Sequence, residues 1–240
     1  MSRQYGNYLI FDGVQSNLYD VWISGTGTFD APERDLEFIE IPGKSGDLVV
    51  DNGRYKNIEI TYPAFMSEDF DSKFDGFRAL MLSKTGYRTL EDTYHPDEFR
   101  TAALVGGFEA STGPYNKAGR FNITFNCQPQ RWLKSGLTVT SFSAAGSISN
   151  PTQYASKPNI RVYGYGSVGI GSTTLTIAAH GLQYIDIDCE AMDAFCGATN
   201  ANQYVSTTGD AFPTLKPGSN GISLSGSISQ IQIMPRWFTL

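Results

Sequence analysis

Cysteine is scarce in this chain. The three residues, Cys127, Cys189 and Cys196, cannot build the disulfide framework of a small secreted domain. Cys127 continues the apolar register of Phe121, Ile123 and Phe125 and is expected to be a small buried hydrophobe. A bridge between Cys189 and Cys196 stays open. Histidine is scarcer, with only His95 and His180, distant from each other and from any Cys cluster, which leaves zinc without a ligand set. No apolar run approaches the length that spans a bilayer. The start MSRQYGNYLIFDGV has one short apolar stretch, Tyr8 to Phe11, before Asp12, and does not have the form of a signal peptide. The expectation is folding in the cytoplasm of the cell that makes the protein, with no membrane partner. Positive charge is also in deficit: the net charge of −6 excludes a non-specific grip on nucleic-acid phosphates.

Catalytic signatures are missing too. No G-x-S-x-G nucleophile elbow occurs. Gly43-Lys44-Ser45 suggests a phosphate loop, but that loop needs a Gly where Phe38 stands and a helix where a strand-like run follows. His95-Pro96-Asp97-Glu98 sets an imidazole beside two carboxylates, yet no nucleophile accompanies it, and Pro96 favours a turn with a hydrated acidic tip. His180, before Gly181, reads as a turn residue. Asp186, Asp188 and Glu190 alternate with Ile185, Ile187 and Cys189, so three carboxylates would share one strand face. They could meet calcium, a partner's basic residues, or only water. The expectation is a protein with no cofactor, no metal and no catalytic residues.

What the chain does contain is material for β-structure. Apolar residues make up 40% and aromatics 13%, enough for packed cores. Charge is uneven: residues 1–135 hold 14 Lys/Arg and 19 Asp/Glu, residues 136–240 only 4 and 5, and none lies between Gly136 and Ser156. That shift places a domain boundary near Ser135-Gly136, giving domains 1–135 and 136–240.

In the first half, strands are expected at Tyr8–Phe11 and Tyr19–Ile23, separated by an Asp12-Gly13 turn. Between Ile39 and Pro63 two turn signals, Pro42-Gly43-Lys44-Ser45-Gly46 and Asp51-Asn52-Gly53, enclose the short apolar rung Leu48-Val49-Val50. Asn57 to Tyr62 then alternates polar and apolar without fault, a half-buried strand. The result is a charged, turn-heavy arm, too polar to bury alone and well suited to reach a neighbouring subunit. One helix is expected from Ser67, as N-cap, to about Lys84, with Phe70, Phe74, Phe77 and Met81 as its apolar stripe, Leu80 beside it and Gly86 as its stop. Strands follow at Tyr87–Leu90, Arg100–Val105 and Phe121–Cys127. The second half shows no helix. It shows short strands at Ile160–Tyr163, Thr173–Ile177, Tyr184–Cys189, Gly221–Leu224 and Ser229–Ile233, a β-sandwich pattern. Both halves end in Pro then Arg-Trp, at Pro129-Gln130-Arg131-Trp132 and Pro235-Arg236-Trp237, each read as a strand end whose Trp covers its own core.

The run PGKSGDLVVDNGRYKNIEITYP, Pro42 to Pro63, resembles the N-terminal domain of phage distal tail proteins, which form the ring at the tip of long non-contractile tails. The resemblance continues at Tyr87–Phe99 (YRTLEDTYHPDEF), Phe125–Gly136 (FNCQPQRWLKSG), Asn150-Pro151-Thr152, Ser156-Lys157-Pro158 and Ile233-Met234-Pro235-Arg236-Trp237. These landmarks stand in order along nearly the whole chain. The resemblance implies a mainly β fold of two domains. The first is a tail-tube-like β-sandwich or barrel with one α-helix, which forms the ring. The second is a galectin-like β-sandwich.

It implies a structural virion protein at the distal end of the tail. Six copies, in one ring or two stacked rings, would join the tail-tube protein to a tail-associated tip protein and to baseplate or receptor-binding proteins. DNA would pass through the central channel in transit only. The arm from Gly43 to Arg54 would carry contacts between subunits, with Lys44, Asp47, Asp51, Arg54 and Tyr55 as candidates, unless these residues lie on a solvated hairpin of one subunit. The alternative is a lectin-like module that binds cell-wall sugar. Galectin sugar sites rest on a His-Asn-Arg constellation with a Trp-Gly pair. The second half has only Arg161 and Arg236, and Trp237 precedes Phe238.

Overall fold

The computed structural model describes residues 6–25, 29–209 and 211–240. The expectation about a signal segment falls partly on residues 1–5, outside the described residues. The fold is mainly β with one α-helix. The chain divides into two compact units, one ending at Arg131 and taking in Leu240, the other Trp132–Thr239. The composition shift at Ser135-Gly136 lies a few residues beyond that division.

The strands of the first unit are β1 Leu9–Phe11, β2 Val14–Gln15, β3 Trp22–Ile23, β4 Arg34–Ile39, β5 Leu48–Tyr55, β6 Ile58–Met66, β7 Arg88–Asp92, β8 Glu98–Leu104, β9 Ser111–Thr112 and β10 Gly119–Leu133; the helix α1 is Phe70–Ser83. The main sheet has the order β2-β1-β7-β8-β10-β6-β3. Asp12 and Gly13 turn β1 into β2 with positive φ at both residues, the two-residue reversal that Asp-Gly favours. The alternation read in the sequence sets the register of β6 on β10. Ile60 faces Phe125, Tyr62 faces Ile123 and Ala64 faces Phe121, all buried. On its other edge β6 is paired by strand only at Ala64 and Phe65, to β3, among the described residues. Pro63 sits in that thinly covered edge, where a missing N–H does least harm, and its carbonyl accepts from Ser24 N at 2.8 Å.

The helix lays Phe70, Phe74, Phe77 and Met81 on this sheet, as the stripe predicts, and the Phe74 ring lies 5.0 Å from Phe121. It starts later than expected. Ser67 is not the N-cap; Asp69 is, in a left-handed conformation and without a side-chain cap bond. Phe70 N donates instead to Lys117 O at 3.1 Å, so a loop carbonyl satisfies an end amide that Ser67 was expected to serve. The expected strand Tyr19–Ile23 is also shorter. Ser16–Tyr19 winds into a 3-10 turn, because the buried Ser16 Oγ accepts from Leu9 N and donates to Val21 O. Only β3 remains extended.

The second unit adds β11 Thr140–Phe142, β12 Gly146–Asn150, β13 Asn159–Tyr163, β14 Gly166–Ile170, β15 Thr173–Ile177, β16 Ile185–Asp188, β17 Asp193–Cys196, β18 Thr199–Asn200, β19 Val205–Thr207, β20 Gly218–Gly226, β21 Gln230–Met234 and β22 Phe238–Thr239. One sheet runs β11-β21-β13-β16-β17-β18, the other β12-β20-β14-β15-β19. Ile160, Ile187 and Ile233 from the first meet Val168, Leu175 and Ile222 from the second in one core, a β-sandwich. The expected cover of the first core by Trp132 is not found. β10 carries that residue into the second unit, where its ring lies 5.5 Å from Phe238 and Phe238 stacks on Tyr154. Trp237 does close its own core.

Candidate functional site

The arm is a two-stranded sheet of its own, β4 on β5, with no strand partner elsewhere among the described residues. Its tip is built by Ile41-Pro42-Gly43-Lys44. Lys44 N donates to Ile41 O at 3.1 Å, Pro42 fixes the first corner and Gly43 takes φ +80°, a conformation that a side chain resists. The second expected turn is not a reversal. Asp51-Asn52-Gly53 lies inside β5, where Asp35 alone stands opposite residues 52–54 between the pairs Arg34–Tyr55 and Leu36–Asp51. Gly53, at φ +71°, absorbs the irregularity, and Asp51 Oδ1 accepts its N–H at 2.8 Å. The Asp-Asn-Gly signal is thus used as a bulge.

The structure separates the five candidate residues. Asp51 Oδ2 accepts from Arg34 Nε at 2.6 Å, and the Arg34 guanidinium lies 5.4 Å over the Tyr55 ring. The Gly53 amide and then Arg34 hold the Asp51 carboxyl below its ordinary range. Arg54 Nε donates to Asp35 Oδ2 at 2.7 Å. Asp51, Arg54 and Tyr55 therefore fasten the hairpin to itself. Lys44 and Asp47 stand exposed at the tip, with no ion pair among the described residues.

None of the five candidates is one of the arm's aliphatic residues or Phe38. Phe38 pairs with Val49 on one face, and Ile39 with Leu48 on the other. All four are exposed in the single chain, Phe38 by 62% and Val49 by 51%. The signal was present in Leu48-Val49-Val50, but exposure of both faces is a tertiary fact. Exposed apolar groups on both sides of a freestanding hairpin fit burial against another surface.

The other candidate clusters are satisfied internally. Arg161 holds Asp186 by two bonds, at 2.6 and 2.8 Å, and lies 4.1 Å over the Tyr184 ring. Arg236 holds Asp188 by two bonds of 2.8 Å, and this pairing keeps the Asp188 carboxyl down at about 2. Glu190 lies past the end of β16 and pairs with Lys157 at 3.3 Å. The acidic row thus meets three cations of its own chain, and both arginines of the second half are engaged by carboxylates. Among the described residues no group of three or more His, Cys, Asp or Glu is placed to hold a metal ion.

His95 takes its partner from Asp92, whose Oδ1 lies 3.2 Å from Nδ1, while Tyr62 Oη donates to Asp92 Oδ2 at 2.7 Å. Among the described residues no serine, threonine or cysteine side chain hydrogen-bonds to His95. His180 spans a turn, with Nδ1 accepting from Leu182 N. All three cysteines are free, so Cys189 and Cys196 are not bridged. Burial pushes the Cys127 thiol up to about 11 and that of Cys189 to about 12. An open groove of about 620 Å³ beside β6 and β10 is lined by Ser24, Glu109, Arg120 and Asn122 with Pro63 and Phe65, and the Ser24 hydroxyl donates to the Pro63 carbonyl at 3.3 Å.

No family model and no curated protein matches the sequence. Among solved structures, the chain is similar to the Dit protein (gp 19.1) of phage SPP1, described as a paradigm of the hub adsorption apparatus in phages that infect Gram-positive bacteria. The TM-score is 0.68 at 12% identity, over 98% of this chain and 99% of that one. A chain of the phage p2 baseplate, in its activated conformation with Sr, matches at 12% identity over 95% of this chain and 96% of that one, with a TM-score of 0.44. The chain therefore has the fold of the SPP1 protein over nearly its whole length.

Proposed function

We propose that this protein is a structural component of a phage tail tip, without catalytic activity. Six copies form a ring through the first unit, and the ring joins the tail tube to the tip or baseplate. The second unit, a galectin-like sandwich, faces outward to hold further tail-tip components. The observation that carries this reading is the full-length correspondence of fold with a phage hub protein. Two features of the first unit support it. The arm exposes apolar side chains on both faces, and β6 leaves Ile58 to Tyr62 without a strand on one edge among the described residues. A closed ring of identical copies covers both, because each head-to-tail interface offers the arm of one copy to the body of the next. A net charge of −6 suits a channel wall that lets DNA pass without holding it.

Light scattering behind a sizing column tests the reading. The expected species is six times 26.3 kDa, about 158 kDa, or twice that, with annular particles in electron micrographs. A monomer at high concentration that also fails to form rings on a tail-tube template overturns it.

A further inference from the structure

Arg100 occupies an unusual place. It stands in the core-facing row of β8, one position pair from the fully buried Ala102, and is itself 7% exposed. An arginine at such a position ordinarily meets a carboxylate, because a buried guanidinium without a partner is strongly destabilising. Here Nη1 is buried, and among the described residues no atom accepts its hydrogen bond.

The nearby carboxylates explain why. Asp92 has both oxygens engaged, Oδ2 by the Tyr62 hydroxyl at 2.7 Å and Oδ1 by the His95 amide at 2.9 Å. Glu98 Oε2 lies 3.5 Å from Arg131 Nη1, too far for a good hydrogen bond, and is buried with no hydrogen-bond partner. Arg131 gives Nη2 to the Leu240 carbonyl at 3.3 Å, and its Nε is likewise buried and unpartnered. Two donors and one acceptor are thus left over within one small cluster.

Glu98, Arg100 and Arg131 all line the same cavity, with Tyr62, Asp92 and His95 around it. It has room of about 10 Å³ for the centre of a water-sized body, which is the volume one water needs. We propose that this cavity is a site for one ordered water molecule, which accepts from Arg100 Nη1 and Arg131 Nε and donates to Glu98 Oε2. Three bonds are the usual number for a buried water.

The charges around the cavity select this ligand. Two guanidinium groups stand against three carboxylates, Glu91, Asp92 and Glu98, so the lining does not call for an anion. A halide would accept from both arginines but would face Glu98 and Asp92. A metal cation would suit those carboxylates but would face two guanidiniums. Water is the small species that accepts on one side and donates on the other. Through it Arg100 reaches the charge of Glu98 without touching it, and the start of β8 is fastened to the end of β10.

A crystal structure of the full chain, at a resolution that shows ordered solvent, tests the site. A second crystal soaked in sodium bromide is measured at the bromine edge. The expected result is a density peak within hydrogen-bond reach of all three atoms and no anomalous signal there. The proposal falls if no peak is present, if the Glu98 carboxylate pairs directly with Arg100, or if bromide occupies the position.

Discussion

The two cores of this chain are filled with different materials. In the first unit the buried set is rich in phenylalanine: Phe11, Phe70, Phe74, Phe77, Phe121 and Phe125. In the second, isoleucine, valine and leucine dominate, and Trp237 is the one aromatic of that core's buried set among the described residues. Architecture accounts for the contrast. A single helix offers one narrow stripe to a broad sheet, so each side chain on it must cover much area, as an aromatic ring does. Two facing sheets each supply full rows of side chains, and compact β-branched residues fill the space between them.

The largest expected effect tests that account. Phe77 is 1% exposed and its ring lies about 6 Å from those of Tyr19, Phe108 and Phe121. Phe77→Ala should destabilise the first unit by about 3–5 kcal/mol, whereas Ile187→Val in the second should cost about 1 kcal/mol. Denaturant unfolding, resolved by unit through hydrogen exchange, gives both values. Equal losses would mean that the sandwich depends on single residues as heavily as the helix-covered sheet does.

The units also bury arginine differently. Arg236 in the second is clasped by Asp188 through two direct bonds, whereas Arg100 in the first has no direct acceptor for Nη1 among the described residues. Arg236→Met leaves Asp188 largely buried without its cation and should lower stability by about 2–3 kcal/mol. The double variant with Asp188→Asn, which keeps an acceptor for the Glu190 and Ala191 amides, should recover most of that loss, and failure to recover would show that Arg236 acts by packing alone.

The same pair has a pH signature. Arg236 holds the Asp188 carboxyl at about 2, below its ordinary 3.8. The contribution is therefore fully present above the unfolded value, near pH 4, and is lost as the pH falls through about 2, with a size on the order of 2 kcal/mol. Melting curves of wild type and Arg236→Met should converge over that window. Parallel curves would contradict the assignment.

Much of this architecture was legible because it rests on local periodicity. The alternation of Asn57 to Tyr62 set the register of β6, and the spacing of Phe70, Phe74, Phe77 and Met81 set the helix face. What escaped depends on the chain folding back. Gly166–Ile170 is too rich in Gly and Ser to read as a strand, yet it pairs on both sides, with β15 and β20. Asp186 is 25 residues from Arg161 and Asp188 is 48 from Arg236, so three carboxylates that alternate in sequence gave no sign of being neutralised. Asp51-Asn52-Gly53 has the composition of a reversal, and only the opposing strand makes it a bulge.

The smallest effect on folding is expected where the proposed effect on assembly is greatest. Phe38 is 62% exposed on the arm and belongs to neither core cluster. Its replacement removes almost no packing from the single chain, so Phe38→Ser should leave unfolding within about 0.5 kcal/mol of wild type. In a ring that seats the arm against the next copy, the same change removes a buried aromatic at every interface, and closure repeats the loss around the ring. The expected outcome is an unchanged unfolding midpoint with particle mass shifted from ring to free subunit. Loss of stability without loss of assembly would mean that the arm is part of the fold of its own subunit. An unchanged particle mass would place the interface elsewhere, and Lys44 and Asp47 at the arm's tip would lose their claim with it.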